Sequence, residues 1–106
     1  MAKYMVQVRY TSEGVKGLMK EGGSARRDAT ANAVALIGGK MEAFYFALGD
    51  IDAFVIVDVP DEVSLLALEL AVNSSGRISS RLVKLVTVED IDMAVKKSVA
   101  YRPPGG

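Results

Sequence analysis

Residues 53–59, Ala-Phe-Val-Ile-Val-Asp-Val, constrain the fold more than any other stretch of the chain. They follow the turn sequence Gly49-Asp50-Ile51-Asp52 and precede Pro60. Their length and β-branched content predict a strand, and the proline ends it because its ring removes the N–H that a ladder needs. Successive side chains of a strand point to opposite faces, so Val55, Val57 and Val59 share one face and Phe54 and Ile56 the other. Both faces are apolar. Helices of the same chain can cover one of them. The second face needs a cover too, because a protein rarely leaves such a patch in water.

The other elements arrange themselves around this strand. Residues 4–10 alternate, with Tyr4, Val6, Val8 and Tyr10 against Met5, Gln7 and Arg9. Residues 40–48 predict another strand, with Phe44, Phe46 and Leu48 opposite Met41, Ala43, Tyr45 and Ala47. The short 49–52 turn joins it to 53–59 as a hairpin. Residues 82–86 predict a fourth strand. Ser12 is expected to cap a short helix carrying Val15, Leu18 and Met19. After Gly22-Gly23, Ser24 is expected to cap a second helix, with Ala25, Ala29, Ala33, Leu36 and Ile37 at helical spacing. Gly38-Gly39 stops it. Asp61 caps a helix over 63–73, and Thr87 caps a last helix with Asp90 in the reciprocal position. The resulting order β-α-β-β-α-β-α predicts an α+β, ferredoxin-like domain with an extra C-terminal helix. Its four-stranded antiparallel sheet has strand order 4-1-3-2, with the helices on one face. Residues 1–98 form this domain and 99–106 a Tyr-Arg-Pro-Pro-Gly tail.

Composition narrows the chemistry. The chain has 106 residues, which suits one domain. Thirteen basic and thirteen acidic residues leave no net charge, which argues against nucleic acid or an anionic membrane surface as partner. With no cysteine and no histidine, thiol catalysis, disulfides, zinc fingers and imidazole acid–base chemistry are all excluded. No metal or cofactor is expected. Lys3, Gln7 and Arg9 interrupt the first ten residues, so no export signal is expected there. The longest uncharged apolar run is 53–57, far below the ~20 residues of a membrane span. The expected location is cytoplasmic.

Several short blocks resemble the GYD-domain family: Met1-Ala2-Lys3-Tyr4 with Tyr10-Thr11, Gly38-Gly39-Lys40, Phe46-Ala47-Leu48-Gly49-Asp50-Ile51-Asp52, Val57-Asp58-Val59-Pro60-Asp61, and Tyr101-Arg102-Pro103-Pro104-Gly105. They occur in order and span essentially the whole chain. The resemblance implies a dimeric α+β barrel. Relatives of that architecture include cofactor-free monooxygenases, isomerases, haem-dependent enzymes and ligand-sensing domains, and the fold alone does not choose among them. The family's hairpin usually has a tyrosine before its last aspartate. Ile51 stands there in this chain, so no role for that hydroxyl carries over.

Among candidate site residues, Arg9 and Asp52 come first. If strands one and three are antiparallel neighbours, these two lie close on the face away from the helices. They read as an anion-holding arginine with an orienting or basic carboxylate, or as a salt bridge at a sheet end. Tyr45 is a hydrogen-bond donor toward the same space or a core aromatic. Gln7 and Phe54 share that face. Asn73 and Arg77 bracket Ser74-Ser75-Gly76, which reads as an anion site or a helix end. Tyr101 reads as a cover for the barrel mouth or as part of a frayed end. Arg26-Arg27 and Lys96-Lys97 read as solvated pairs.

Two functions compete. The first is a homodimer, or larger homo-oligomer, that binds a small organic molecule in its barrel, with proton-transfer or oxygenase-type chemistry accessible to Arg9, Asp52 and Tyr45. The second is a non-catalytic assembly or regulatory module. The 63–73 helix supports it: Leu65, Leu66, Leu68, Leu70 and Val72 cannot all face one sheet.

Overall fold

The computed structural model describes residues 1–106. The elements are β1 (Ala2–Tyr10), α1 (Ser12–Glu21), α2 (Gly23–Leu36), β2 (Lys40–Phe46), β3 (Ala53–Val59), α3 (Glu62–Ser74), β4 (Ile78–Leu85) and α4 (Val88–Ala94). The sheet order is β2-β3-β1-β4, with every neighbouring pair antiparallel. This is the expected α+β, ferredoxin-like arrangement, with two helices in the first crossover.

The central pair β1–β3 supplies most of the core. Tyr4, Val8, Ala53, Val55, Val57 and Val59 are buried beneath Val34 of α2 and Leu65 of α3. Complete burial of a valine side chain contributes about 1.5–3 kcal/mol, so the three fully buried valines of β3 form the strongest apolar seam in the molecule.

Local chemistry sets the element ends. The Asp61 carboxylate accepts from the Ser64 N–H at 2.7 Å and starts α3. Thr87 and Asp90 form the expected capping box on α4. Two expected caps differ. Thr11, one residue before Ser12, caps α1 through its hydroxyl. α2 begins at Gly23 with no side-chain cap, since Gly22 at φ 86° makes the break and Ser24 lies within the first turn.

Four strand and helix details also differ from expectation. β4 begins at Ile78, because Ser79, Ser80 and Arg81 join the ladder opposite Arg9, Val8 and Gln7 despite their weak apolar signal. β2 ends at Phe46, where the Ala47 N–H turns to donate to the Asp52 carbonyl at 2.7 Å. A bulge between Met41 and Ala43 pairs Met41 with buried Val57 and Ala43 with Ile56. The extra residue moves Met41 onto the helix side with Phe44, away from Ala43 and Tyr45. On α2 the buried side chain is Val34, while Leu36 is 87% exposed.

α1 lies very close to the turn between α3 and β4. The Thr11 N–H donates to the Arg77 carbonyl at 3.0 Å. A Cβ on Gly14 would stand 2.0 Å from that same oxygen, so only glycine fits there.

Candidate functional site

The face of the sheet away from the helices is laid out in rows set by strand register. One row is Tyr45, Phe54, Gln7 and Arg81. The next is Ala43, Ile56, Met5 and Val83. The third is Lys40, Asp58, Lys3 and Leu85. An apolar band therefore lies between a mixed polar–aromatic row and a charged one. Lys3 pairs with Glu42 and, at 3.5 Å, with Asp58. Register thus brings Gln7, Phe54 and Tyr45 together, and Tyr45 is 71% exposed.

Arg9 and Asp52 lie next to this face at the far end of β1. The Asp52 N–H donates to the Val8 carbonyl at 2.9 Å, and its carboxylate accepts from the Tyr10 backbone N–H at 2.8 Å. No ion pair joins Arg9 to Asp52. Arg9 is exposed beside Ser79. The aspartate thus extends the β1–β3 ladder by one bond with its side chain.

The helix side of the sheet carries a cavity of about 120 Å³, partly open to solvent, between β1, β3 and the helices α2 and α3. Its wall is apolar because Ala29 and Ala33 of α2 line it together with Val6, Val8, Val55 and Val57 of the sheet. Alanine is too short to fill the gap over valine, which leaves an apolar space. The polar groups on the wall are few: Tyr10, Arg26, Thr30, Glu69 and Ser80.

Asn73 holds part of this wall in place. Its side chain accepts from the Ser80 N–H at 2.8 Å and donates to the Ser80 hydroxyl at 3.1 Å. That hydroxyl donates to Glu69 at 2.5 Å. Asn73 therefore ties α3 to β4 and orients Glu69.

Arg77 lies elsewhere, on a polar groove beside α1. Lys16, Lys20, Arg26 and Arg77 line this groove together with Glu13 and Glu21. Lys16 pairs with Glu13 and Arg26 with Glu21, whereas Lys20 and Arg77 have no ion-pair partner. The cavity and the groove share Tyr10, Arg26, Val72 and Ile78, so the apolar space adjoins a surface with an excess of positive charge.

Tyr10 stands at that junction, its ring stacked on Phe46 with centroids 6.5 Å apart. Burial pushes its hydroxyl pKa up, and the neighbouring Arg26 guanidinium opposes the shift. The hydroxyl remains a neutral donor at neutral pH. Tyr101 lies far from the core, exposed in the tail. No group of three or more aspartate or glutamate side chains is placed to hold a metal ion.

Sequence reasoning missed Arg26, Glu69, Ser80 and Tyr10 as site residues. Two signals pointed to them. Glu69 interrupts an otherwise apolar helix, and Ser80 has the parity of an inward-facing position on β4, two residues from Leu82. Arg26, read as solvated, is the groove's link to the cavity.

A family model described as GYD domain matches residues 4–95. No curated protein and no solved structure matches the chain.

Proposed function

Because the chain belongs to the GYD-domain family, whose fold carries many chemistries, the site has to identify the function, and we propose that this protein binds a small organic acid. The observation behind this reading is that the apolar cavity adjoins the cationic groove, with Tyr10 and Arg26 lining both. A space of about 120 Å³ suits a ring or short branched chain of about six to nine heavy atoms, since dry cavities of about 150 Å³ take up benzene. The ligand's carboxylate lies toward Arg26, Lys20 and Arg77, where a charge-assisted hydrogen bond favours the anion. Glu69, further in, repels a buried anion and favours this orientation.

The protein is further proposed to self-associate through the bare sheet face, where Met5, Ile56 and Val83 form an apolar band without cover from the chain itself. Gln7, Phe54 and Tyr45 then belong to that interface. A non-catalytic assembly role is the second reading. It is favoured by Val63, Leu66 and Leu70, which form an exposed stripe along α3 opposite buried Leu65.

Methyl NMR tests the binding reading. Phenylacetate is expected to shift Val8, Val55 and Leu65, and benzyl alcohol to bind at least tenfold more weakly. Arg26→Gln should erase that preference. Equal affinity for the two, or no shift with either, overturns the proposal. No helix is long and apolar enough to cross a membrane.

A further inference from the structure

The chain does not close up on itself. Its radius of gyration is 17.0 Å and its longest extent 55 Å, whereas a packed chain of this length has a radius of gyration of about 13 Å. The excess comes from the C-terminal end. Every residue from 86 to 106 is exposed, and none belongs to the core. The segment is nonetheless apolar in pattern. Val88, Ile91 and Val95 recur at i, i+3 and i+7, which places them on one face of α4. They are 74%, 53% and 76% exposed, and Val99 and Tyr101 beyond them are as open.

We infer that residues 86–106 form an arm that packs against a second copy of the chain, which donates its own arm in return. Three observations carry this. First, the arm does not cover its own bare sheet face, since residues 86–106 are all exposed. Only Val86 and Thr87 separate β4 from α4, and two residues span at most about 7 Å. The capping box on Thr87 starts α4 directly after this link. The sheet face is about 19 Å wide for four strands, and β4 lies at its edge.

Second, the sheet face alone is small for a stable interface. Four strands averaging about eight residues have a flat footprint of roughly 500 Å², against the ~800 Å² of accessible surface that each partner of a stable pair contributes. An exchanged arm supplies the missing area.

Third, the same chain carries both unsatisfied surfaces, the apolar band of the sheet and the stripe of the arm. A two-fold pairing satisfies both at once, since each copy receives what it gives. The inference rests on the self-association proposed above and adds which segment makes it tight.

The test uses the full chain with Ile91→Asp and Val95→Asp together, compared with the wild type by sedimentation over a wide concentration range. The expected result is a wild-type dimer and a variant dimer at least tenfold weaker, with unchanged circular dichroism. A second variant lacking residues 87–106 should weaken the dimer at least as much. A wild-type chain that stays monomeric overturns the arm together with the self-association. A wild-type dimer matched in strength by both variants overturns the arm alone. Because the chain has no cysteine, Ile91→Cys takes a single polarity-sensitive dye. Its emission should move to the blue over the concentration range of dimerisation. Blue emission already present in the dilute monomer would show the arm folded on its own domain and overturn the exchange.

Discussion

The Asp52 carboxylate accepts a hydrogen bond from the Tyr10 backbone N–H at 2.8 Å, one step beyond the last residue pair of the β1–β3 ladder, Val8 with Ala53. A side chain here does what a strand carbonyl would do. The bond is part-buried, and leaving a buried N–H without a partner costs about 1–3 kcal/mol. Asp52→Ala is expected to lower stability by about that amount in urea titrations. Asp52→Asn keeps an acceptor oxygen and should lose less. An Asp52→Ala variant as stable as the wild type would show that water replaces the carboxylate.

Two glycines of α1 should respond in opposite directions to the same change. Gly17 has open space around it, whereas a Cβ on Gly14 would meet the Arg77 carbonyl at 2.0 Å. Alanine in a helix interior is favoured over glycine by about 1 kcal/mol. Gly17→Ala should therefore raise stability by up to that amount. Gly14→Ala should lower it by at least about 2 kcal/mol, because α1 must lift off the α3–β4 turn and break the packing beneath it. Thermal melts of the two variants check the sign.

Stability should depend on pH through the pair Tyr4 and Glu62. The Tyr4 hydroxyl donates to the Glu62 carboxylate at 2.5 Å. That bond raises the tyrosine from its ordinary 10.0 to about 12. It also lowers Glu62 below its ordinary 4.5, with nearby Lys84 adding to the effect. A raised folded pKa on tyrosine gives stability that is complete below about pH 10 and lost as pH rises through about 12. A depressed carboxylate pKa gives stability present above about pH 4.5 and lost as the pH falls through its lowered folded value. Tyr4→Phe should flatten both limbs of the melting-temperature profile. Unchanged limbs would place the pH dependence elsewhere.

Filling the cavity should separate binding from folding. Ala33→Leu adds about three carbons to a space of about 120 Å³, and each buried methylene contributes about 0.8 kcal/mol. The expected result is a gain of up to about 2 kcal/mol together with loss of phenylacetate binding. A destabilised variant would mean that the cavity wall cannot admit the branch.

Much of the fold was legible in the chain, because the signals that carry it are local. The alternation in 4–10, the apolar 53–59 run and the caps at Asp61 and Thr87 each depend on a few neighbouring residues. Together they lead to the strand order. Errors arose where one residue changes a pattern's phase. The extra residue at Glu42 reversed the face of Met41, and Leu36, expected on the apolar face of α2, is exposed while Val34 is buried. The neighbourhood of Arg9 and Asp52 was also legible from register. The carboxylate's actual partner was not, since a backbone N–H leaves no trace in residue type.

The sequence by itself determined the family, the antiparallel α+β sheet, a second apolar sheet face and the exclusion of thiol and imidazole chemistry. Each of these follows from residue identity, period or order. Only the tertiary structure decided where an internal space opens. The cavity is what remains after alanines of α2 and leucines of α3 settle over valines from β1 and β3, and no one segment encodes that remainder. The same is true of the groove, which joins Lys20, Arg26 and Arg77 from distant parts of the chain because α1 packs against the α3–β4 turn. The apolar arm, too, emerged only in three dimensions, where residues 86–106 lie exposed and outside the core although Val88, Ile91 and Val95 share a face.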